Sequence, residues 1–157
     1  MAVNTVNLEV ITPSKLFYKG NVEIVICRTL MGDEGFMAGH SWAVKLLDIG
    51  ELWIREAGSK TFKIAAVSGG FVDVQDDIVI YTDAAEWSED IDMEKAKSLH
   101  DSALAFIESH GKADLEEDSE NLKMAKAALS KAITRMNVAK GGARRKSNSS
   151  KDRKSVV

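Results

Sequence analysis

The chain has little of three things that would narrow its chemistry: cysteine, proline and long apolar runs. Cys27 is the only cysteine of 157 residues, which excludes an internal disulfide and a multi-cysteine metal site. No apolar run approaches the roughly 20 residues that cross a bilayer. Residues 1–13 lack the basic and apolar regions of a secretion signal. We therefore expect a soluble protein from a reducing compartment, with Cys27 as a small packing residue.

The charge is divided unevenly along the chain. Residues 141–157 contain six Lys or Arg and one Asp, so the formal net charge of −3 divides into +5 for this segment and −8 for residues 1–140. An acidic body argues against nucleic acid as the main partner. The basic, serine-rich end has no apolar periodicity, so we predict a disordered tail over 141–157.

Up to Asp83 the apolar residues recur with a period near two. Val6, Leu8 and Val10 alternate with polar residues, and the single proline, Pro13, ends this first strand. Glycine-marked turns divide the rest of the segment into short runs of the same kind. Eight to ten short strands at this spacing predict an antiparallel β-sandwich or flattened barrel over residues 1–86.

Two glycine-rich segments interrupt these strands. Gly32–His40 contains three glycines in nine positions, which predicts a shaped loop that needs positive φ or close backbone approach. Ser68-Gly69-Gly70 is not followed by a helix, as the nucleophile elbow of a hydrolase would be, so it predicts a strand corner. Phe71–Val74 and Ile78–Tyr81 are then expected to pair across a short turn.

After Asp83 the apolar period becomes helical. Asp92 is placed to cap a helix that begins at Met93 and ends at His110-Gly111. Asp118 or Ser119 is placed to cap a second helix that ends at Gly141. We therefore predict a two-helix antiparallel hairpin over residues 87–140, so that the whole chain is an α+β protein, mainly β and then α. The expected apolar stripes are Ala96, Leu99, Ala103, Phe106 and Ile107 on the first helix, and Leu122, Ala125, Leu129, Ala132, Ile133 and Met136 on the second.

These stripes are narrow and rich in alanine, so the hairpin buries little apolar area per residue. At about 25 cal/mol per Å², such a pair is marginal alone and needs the β domain or a partner for stability. Trp87, in an otherwise polar hinge, is expected to pack the hairpin against the β domain. A small hairpin with two docking modes of similar energy would act as a movable arm.

The sequence contains no constellation typical of an enzyme. His40, His100 and His110 lie apart, and no Ser or Cys near His40 is placed as a nucleophile. The acids from Asp83 to Glu94 do not have the spacing of a calcium loop and are expected to form a solvated linker. We therefore predict a non-catalytic protein with no metal site.

Three stretches, in this order, resemble motifs of the epsilon subunit of the bacterial F-type ATP synthase. Gly32–His40 (GDEGFMAGH) resembles the family's G-x-x-G-x-x-P-G-H, with Ala38 in place of the proline. Val67–Val74 (VSGGFVDV) resembles L-S-G-G-x-x-x-V. Ile91–Ala96 (IDMEKA) resembles the (I/L)-D-x-x-R-A that opens the family's helical hairpin. The resemblance covers about residues 6–140.

This resemblance implies a non-catalytic rotor subunit of the central stalk, which links the gamma subunit to the c-ring in ion-driven ATP synthesis. The helical arm would fold against the sandwich or extend toward the catalytic alpha and beta subunits, where it inhibits ATP hydrolysis. The protein would lie peripherally at the cytoplasmic face of the bacterial cell membrane as part of that complex, without inserting into the membrane. No cofactor is required.

The resemblance also implies site residues. The gamma and c-ring interface would include Asp33, Glu34, Phe36, Met37 and His40. The inhibitory contact with a beta subunit would be made by Lys123, Lys126, Lys131 and Arg135.

A regulatory ATP site is a further implication. In several bacterial members the folded hairpin binds ATP through the motif arginine, and here Lys95 stands in that position. An ammonium group lacks the bidentate fork of arginine and holds phosphate as a point charge. The positions that match this site are Glu86, Asp92, Lys95, Lys131 and Arg135, so the alternative function is a stand-alone ATP-sensing module with weak affinity.

Overall fold

The chain forms two compact units, with the division between Trp87 and Ser88. The computed structural model describes residues 4–111 and 116–141, and of residues 116–118 only the backbone. All the strands precede the division and both long helices follow it, so the predicted order of a β part and then an α part is confirmed. The division lies one residue after the expected boundary, because Trp87 pairs with Ala65 as part of the last strand. Most of the predicted disordered tail, from residue 142 onward, lies outside the described residues.

The β unit, which ends at Trp87, is a flattened barrel. Its strands are β1 Val6–Ile11, β2 Leu16–Thr29, β3 Gly32–Phe36, β4 Ala43–Glu56, β5 Lys63–Val74, β6 Ile78–Tyr81 and β7 Ala85–Trp87. The strands pair in the order β1-β6-β5-β4-β2, and β2 also pairs with β1, which closes the ring. β3 adds to β2, and β7 adds to β5. Only the β1–β6 pairing is parallel among those of the described chain.

The described residues hold seven strands, so the expectation of eight to ten was wrong. Three of the glycine breaks do not end a strand: β2 runs through Gly20, β4 runs through Gly50, and β5 runs through Gly69 and Gly70. Gly50 is paired with Val67 of β5, and the Arg28 side chain beside it leaves no space for a larger residue. A Cβ on Gly50 would lie 2.7 Å from the Arg28 Cβ.

The predicted strand corner at Ser68-Gly69-Gly70 is confirmed as the point where β5 changes partner. Its first half pairs with β7 and its second half with β6. Gly69 and Gly70 have φ of +81° and +110°, values that residues with a side chain rarely adopt. The carbonyl oxygen of Tyr81 lies only 1.8 Å from where a Cβ of Gly70 would be, so the close approach of β6 requires glycine.

The core of the β unit lies between the two layers of the barrel. Alternate residues of each strand point into it, as in β1, where Val6, Leu8 and Val10 are buried. Phe36, Leu52 and Ile54 are its largest buried side chains together with Leu8, Ile78 and Ile80. Cys27 is a buried free thiol within this core. Burial, and after it the charge of Glu34, raises the pKa of Cys27 to about 12, so the thiol remains protonated and acts as a packing group.

The helical unit begins with a single 3₁₀ turn, Ser88–Asp90, followed by α1 Met93–His110 and α2 Glu116–Ala139. The Asp92 side chain accepts a hydrogen bond of 3.1 Å from the Lys95 amide, so the predicted N-cap of α1 is confirmed. α2 begins before both Asp118 and Ser119, so neither residue is its cap. Glu116 and Glu117 have high intrinsic helix propensity and extend the helix by a turn.

α1 and α2 pack against each other through small side chains. Ala96 and Ala103 of α1 and Ala132 and Val138 of α2 are buried. Two members of the predicted stripes are exposed, Leu99 at 48% and Ile133 at 42%, and the remaining ones are half-buried. The bulky side chains lie beside the close contact, because alanine lets the two backbones approach. In the part of the chain that the structure describes, neither helix is long and apolar enough to span a membrane.

Candidate partner-binding surface

The hairpin of β2 and β3 is held by ion pairs on its two sides. Arg28 lies opposite Asp33 in the ladder, and its Nε donates to Asp33 Oδ1 at 3.0 Å. This hydrogen bond is the main cause that raises the pKa of Arg28. Both side chains are partly exposed, so the pair orders the surface more than it stabilises the fold.

Glu34 lies on the other face of β3 from Asp33. It pairs with the ammonium group of Lys45 on β4, and the hydrogen bond from Lys45 is the main cause that lowers the pKa of Glu34. In the ladder Glu34 is the partner of Cys27, so its carboxylate lies at the edge of the core. Of the predicted interface residues, Glu34 thus has an internal partner that links β3 to β4.

The predicted glycine loop Gly32–His40 is wrong for its first five residues, which form β3, and the chain turns only after Phe36. This segment divides the remaining predicted interface residues between core and surface. Phe36 is completely buried, so it supports the surface from below and does not form it. The His40 ring stands edge-on to Phe36 at 4.9 Å between centroids, and the His40 amide donates to the Met37 carbonyl at 3.2 Å. Met37 and His40 are exposed. Gly39, with φ of +78°, makes this tight turn possible.

A row of exposed apolar side chains crosses the strands next to this hairpin. Leu46 of β4 is paired with Phe71 of β5, and Phe71 is paired with Tyr81 of β6. The Leu30 amide donates to the Leu46 carbonyl at 3.2 Å, which places Leu30 at one end of the row. Through Ile11, partner of both Tyr81 and Leu16, the row continues to β2. We call the exposed members the apolar face: Leu16, Leu30, Val44, Leu46, Phe71 and Tyr81.

The side chains of the apolar face are exposed and hold defined positions. The rings of Phe71 and Tyr81 stack at 4.8 Å with an angle of 25°, so their positions are defined. Leu30, Val44 and Leu46 are each at least 60% exposed. Contiguous exposed apolar residues on a rigid sheet mark a site where another macromolecule binds. No local sequence pattern marks this surface, because its residues come from separate strands and one turn and meet only through the register.

The basic residues predicted for the inhibitory contact all lie on α2. Lys123, Lys126 and Lys131 are exposed, and Arg135 is partly buried. Lys131 and Arg135 are four residues apart, so they lie on one face of the helix. Their contact with a beta subunit stays a prediction.

The predicted ATP-site residues come from both units. Glu86 lies in β7 of the β unit, whereas Asp92 and Lys95 lie at the start of α1 and Lys131 and Arg135 lie on α2. The Asp92 carboxylate is used as the helix cap. ATP binding at these positions stays a prediction.

The histidines have local partners. His40 Nδ1 is 2.8 Å from the Ser41 carbonyl oxygen, His100 pairs with Asp101, and His110 is hydrogen-bonded to Ser109. Within residues 4–111 and 116–141, no three His, Cys, Asp or Glu side chains group as metal ligands would.

Comparison with known proteins agrees with this fold. Residues 5–88 match the family model described as ATP synthase, Delta/Epsilon chain, beta-sandwich domain. The chain is 36% identical over 138 residues to the ATP synthase epsilon chain of Bacillus pumilus, covering 87% of this chain and 98% of the relative. It is 35% identical over 130 residues to that of Caldicellulosiruptor saccharolyticus, covering 82% and 89%.

The chain is also similar to a chain in a solved ATP synthase structure. A chain in the cryo-EM structure of the Euglena gracilis mitochondrial ATP synthase, which includes the c-ring, superposes with a TM-score of 0.67 at 26% identity. The match covers 80% of this chain and 76% of that chain.

Proposed function

The chain belongs to the family of ATP synthase epsilon chains, and on that basis we propose that it is a non-catalytic subunit of the central stalk. In this role it links the gamma subunit to the c-ring during ion-driven ATP synthesis. It lies peripherally at the cytoplasmic face of the cell membrane, held there by its partners. The observation that carries the proposal is the apolar face.

The apolar face fits a rotor partner that stays bound. Apart from Leu30 in the β2–β3 turn, its residues lie on strands of a closed barrel, so little conformational entropy is lost when a partner covers them. Such a surface suits the gamma subunit, because a lasting interface has an apolar centre.

The β2–β3 hairpin supports a second contact beside the first. It combines the exposed Leu30 and Met31 with the charged Asp33, and Met31 is 90% exposed. The Thr29 side chain accepts a hydrogen bond from the Met31 amide at 3.1 Å and donates one to the Gly32 carbonyl at 3.0 Å, which defines the turn. A defined tip that combines apolar and charged side chains suits a protein partner, for which the c-ring is our proposal.

Purification of the tagged full-length chain tests the rotor function. We expect the gamma, alpha, beta and c subunits to co-purify with it from mildly solubilised membranes. Recovery of the chain without gamma at low salt, when the rest of the complex is present in the extract, would contradict the proposal.

The helical unit supports the role of an inhibitory arm. In its described part the buried apolar side chains are three alanines and one valine, whereas the β unit buries Phe36 and several leucines and isoleucines. The hairpin therefore has a small core of its own, and partners can change its position at low cost. The exposed lysines of α2 favour an acidic segment of a beta subunit as one such partner.

Ending the chain after Trp87 should remove the inhibition of ATP hydrolysis by the helical unit. Because the β unit is compact up to Trp87, the shortened chain should still assemble. The ATPase rate of the complex should then rise roughly fivefold, the lower end of typical allosteric couplings. A chain that ends at Lys140 keeps both helices and is the matched control. If the complex with the shorter chain hydrolyses ATP no faster than the control, the inhibitory role is wrong and the rotor function is unaffected.

A further inference from the structure

Trp87, the last residue of the β unit, is held in an aromatic cluster. Its ring stacks on Phe17 of β2 at 4.4 Å between centroids with an angle of 24°. The ring of Tyr18 meets it edge-on at 6.0 Å and 76°. Phe17 and Trp87 both pack against the core of the barrel. The sequence analysis expected Trp87 to pack the hairpin against the β domain, whereas these contacts lie inside the β unit.

Tyr18 is itself fixed in this cluster. Its hydroxyl donates to Glu56 Oε1 at 3.0 Å, and Lys63 pairs with the same oxygen at 2.9 Å. Burial, followed by the hydrogen bond to Glu56, raises the pKa of Tyr18 well above its usual range, so the hydroxyl remains a donor. Gly20 leaves the space for it, since a Cβ there would lie 2.7 Å from the Tyr18 oxygen.

Two ammonium groups lie over the outer rings of the cluster. Lys15 Nζ lies 5.8 Å from the Phe17 centroid, and Lys63 Nζ lies 5.9 Å from that of Tyr18. Cations at this distance from a ring face are attracted to it. The cluster therefore joins side chains from four strands. β2 supplies the two rings, β4 and β5 supply the Glu56–Lys63 ion pair, and β7 supplies Trp87.

β7, the strand that carries Trp87, is too short for its backbone hydrogen bonds alone to keep it paired with β5. β7 has three residues, and it pairs with β5 only through Ala65, Ala66 and Val67. A strand of this length on one edge opens readily unless side chains add to its ladder. The chain passes directly from Trp87 into the helical unit at Ser88. Any pull from that unit therefore acts first on β7.

We propose that the stack of Phe17, Tyr18 and Trp87 is the anchor of the helical arm, so that Trp87 is a positioning residue that keeps β7 closed while the arm moves. The predicted effect of the anchor on the inhibition of ATP hydrolysis rests on the proposed function. The anchor itself is a property of the isolated chain and does not depend on that function. With β7 closed, the reach of the arm is counted from residue 88. With β7 open, up to three more residues of the unit join the linker and the position of the arm is less defined.

Amide exchange in the isolated full chain tests the anchor. In Trp87→Ala the exchange of the backbone amides of residues 85–87 should accelerate about tenfold, because a stacked ring pair and its burial are lost. Phe17→Ala should reproduce the effect from the other side of the stack, and Trp87→Phe should largely restore protection. The amides of β6 serve as the internal reference. Phe62→Ala removes one ring of a different pair, Trp53–Phe62, and should leave residues 85–87 unchanged. Unchanged exchange in both alanine variants overturns the anchor.

The ATPase rate of the assembled complex tests whether the anchor positions the helical arm for inhibition. The rate with Trp87→Ala should rise by at least half of the increase caused by ending the chain after Trp87, and Trp87→Phe should return it to the wild-type rate. A mere loss of fold stability would show as loss of co-assembly instead. Faster amide exchange with a wild-type ATPase rate overturns the positioning role. If the shortened chain itself leaves the rate unchanged, the inhibitory role fails and the positioning role fails with it. The exchange data still decide the anchor.

Discussion

Replacing Leu46 and Phe71 together by aspartate is expected to remove the chain from the purified complex. The two side chains are cross-strand partners at the middle of the apolar face, 60% and 39% exposed in the chain alone. Full burial of an exposed side chain of this kind is worth about 1.5–3 kcal/mol. Because Leu46 and Phe71 are already partly covered, their loss together costs the interface about 2 kcal/mol, which lowers the affinity roughly thirtyfold.

The new charges add to this loss, because a carboxylate covered by an apolar partner has no counter-ion there. The fold should tolerate the change, since both positions face outward. We expect the free energy of unfolding to fall by about 2–3 kcal/mol, from the lost stack of Phe71 on Tyr81, the lost burial of Phe71 and the repulsion between two aspartates that face each other in the ladder. The measurement is the amount of gamma subunit recovered with each tagged variant.

Ala57→Asp is the control for this experiment. It adds a carboxylate at an exposed position in the turn between β4 and β5, away from the apolar face. This variant should co-purify like the wild type. Wild-type recovery of gamma with the Leu46→Asp, Phe71→Asp double variant would show that the apolar face is not the docking surface.

Gly70→Ala is expected to unfold the β unit or come close to it. The added Cβ would lie 1.8 Å from the Tyr81 carbonyl oxygen and 2.9 Å from the Thr82 Cα, and φ is +110°. Backbone atoms cannot move aside as a flexible side chain can. The strands β5 and β6 must separate or the corner must open, at a cost of about 3 kcal/mol or more. That is a large part of the roughly 5–15 kcal/mol that stabilises an ordinary domain.

Denaturant unfolding followed by tryptophan fluorescence measures this cost, because Trp42, Trp53 and Trp87 all lie in the β unit. Gly58→Ala is the matched control. Gly58 also has a positive φ, +75°, but nothing lies within 4 Å of its would-be Cβ. It should lose only about 1 kcal/mol from the left-handed conformation. Equal stability of the two variants would mean that the β5–β6 approach at Gly70 is not tight.

The elements that the sequence predicted well are those governed by local chemistry. The change of period at Asp83, the Asp92 cap and the end of α1 at His110 depend on neighbours within a turn. The corner at Gly69 and Gly70 is also local, since it needs positive φ. The count of strands was wrong because Gly20 and Gly50 look like breaks along the chain, whereas in the fold each lies inside a paired strand.

The candidate site was less predictable. Asp33, Met37 and His40 were predicted as interface residues through the family resemblance, and all three lie at the surface, but their part in an interface stays a prediction. Phe36 was predicted in the same way but belongs to the core, since the alternation of β3 turns it inward. The apolar face had no sequence signal. Leu46, Phe71 and Tyr81 look like ordinary strand residues, and no local pattern tells which of two faces will be covered by the same chain.

The sequence by itself therefore determined the order of a β part and an α part, the cap of α1, the corner of β5 and the family to which the chain belongs. These properties follow from side-chain period and backbone freedom, which act over a few residues. The tertiary structure alone decided which apolar residues remain outside and what surrounds Trp87. Both depend on register between distant strands, and register is settled only when every strand buries its own face at once.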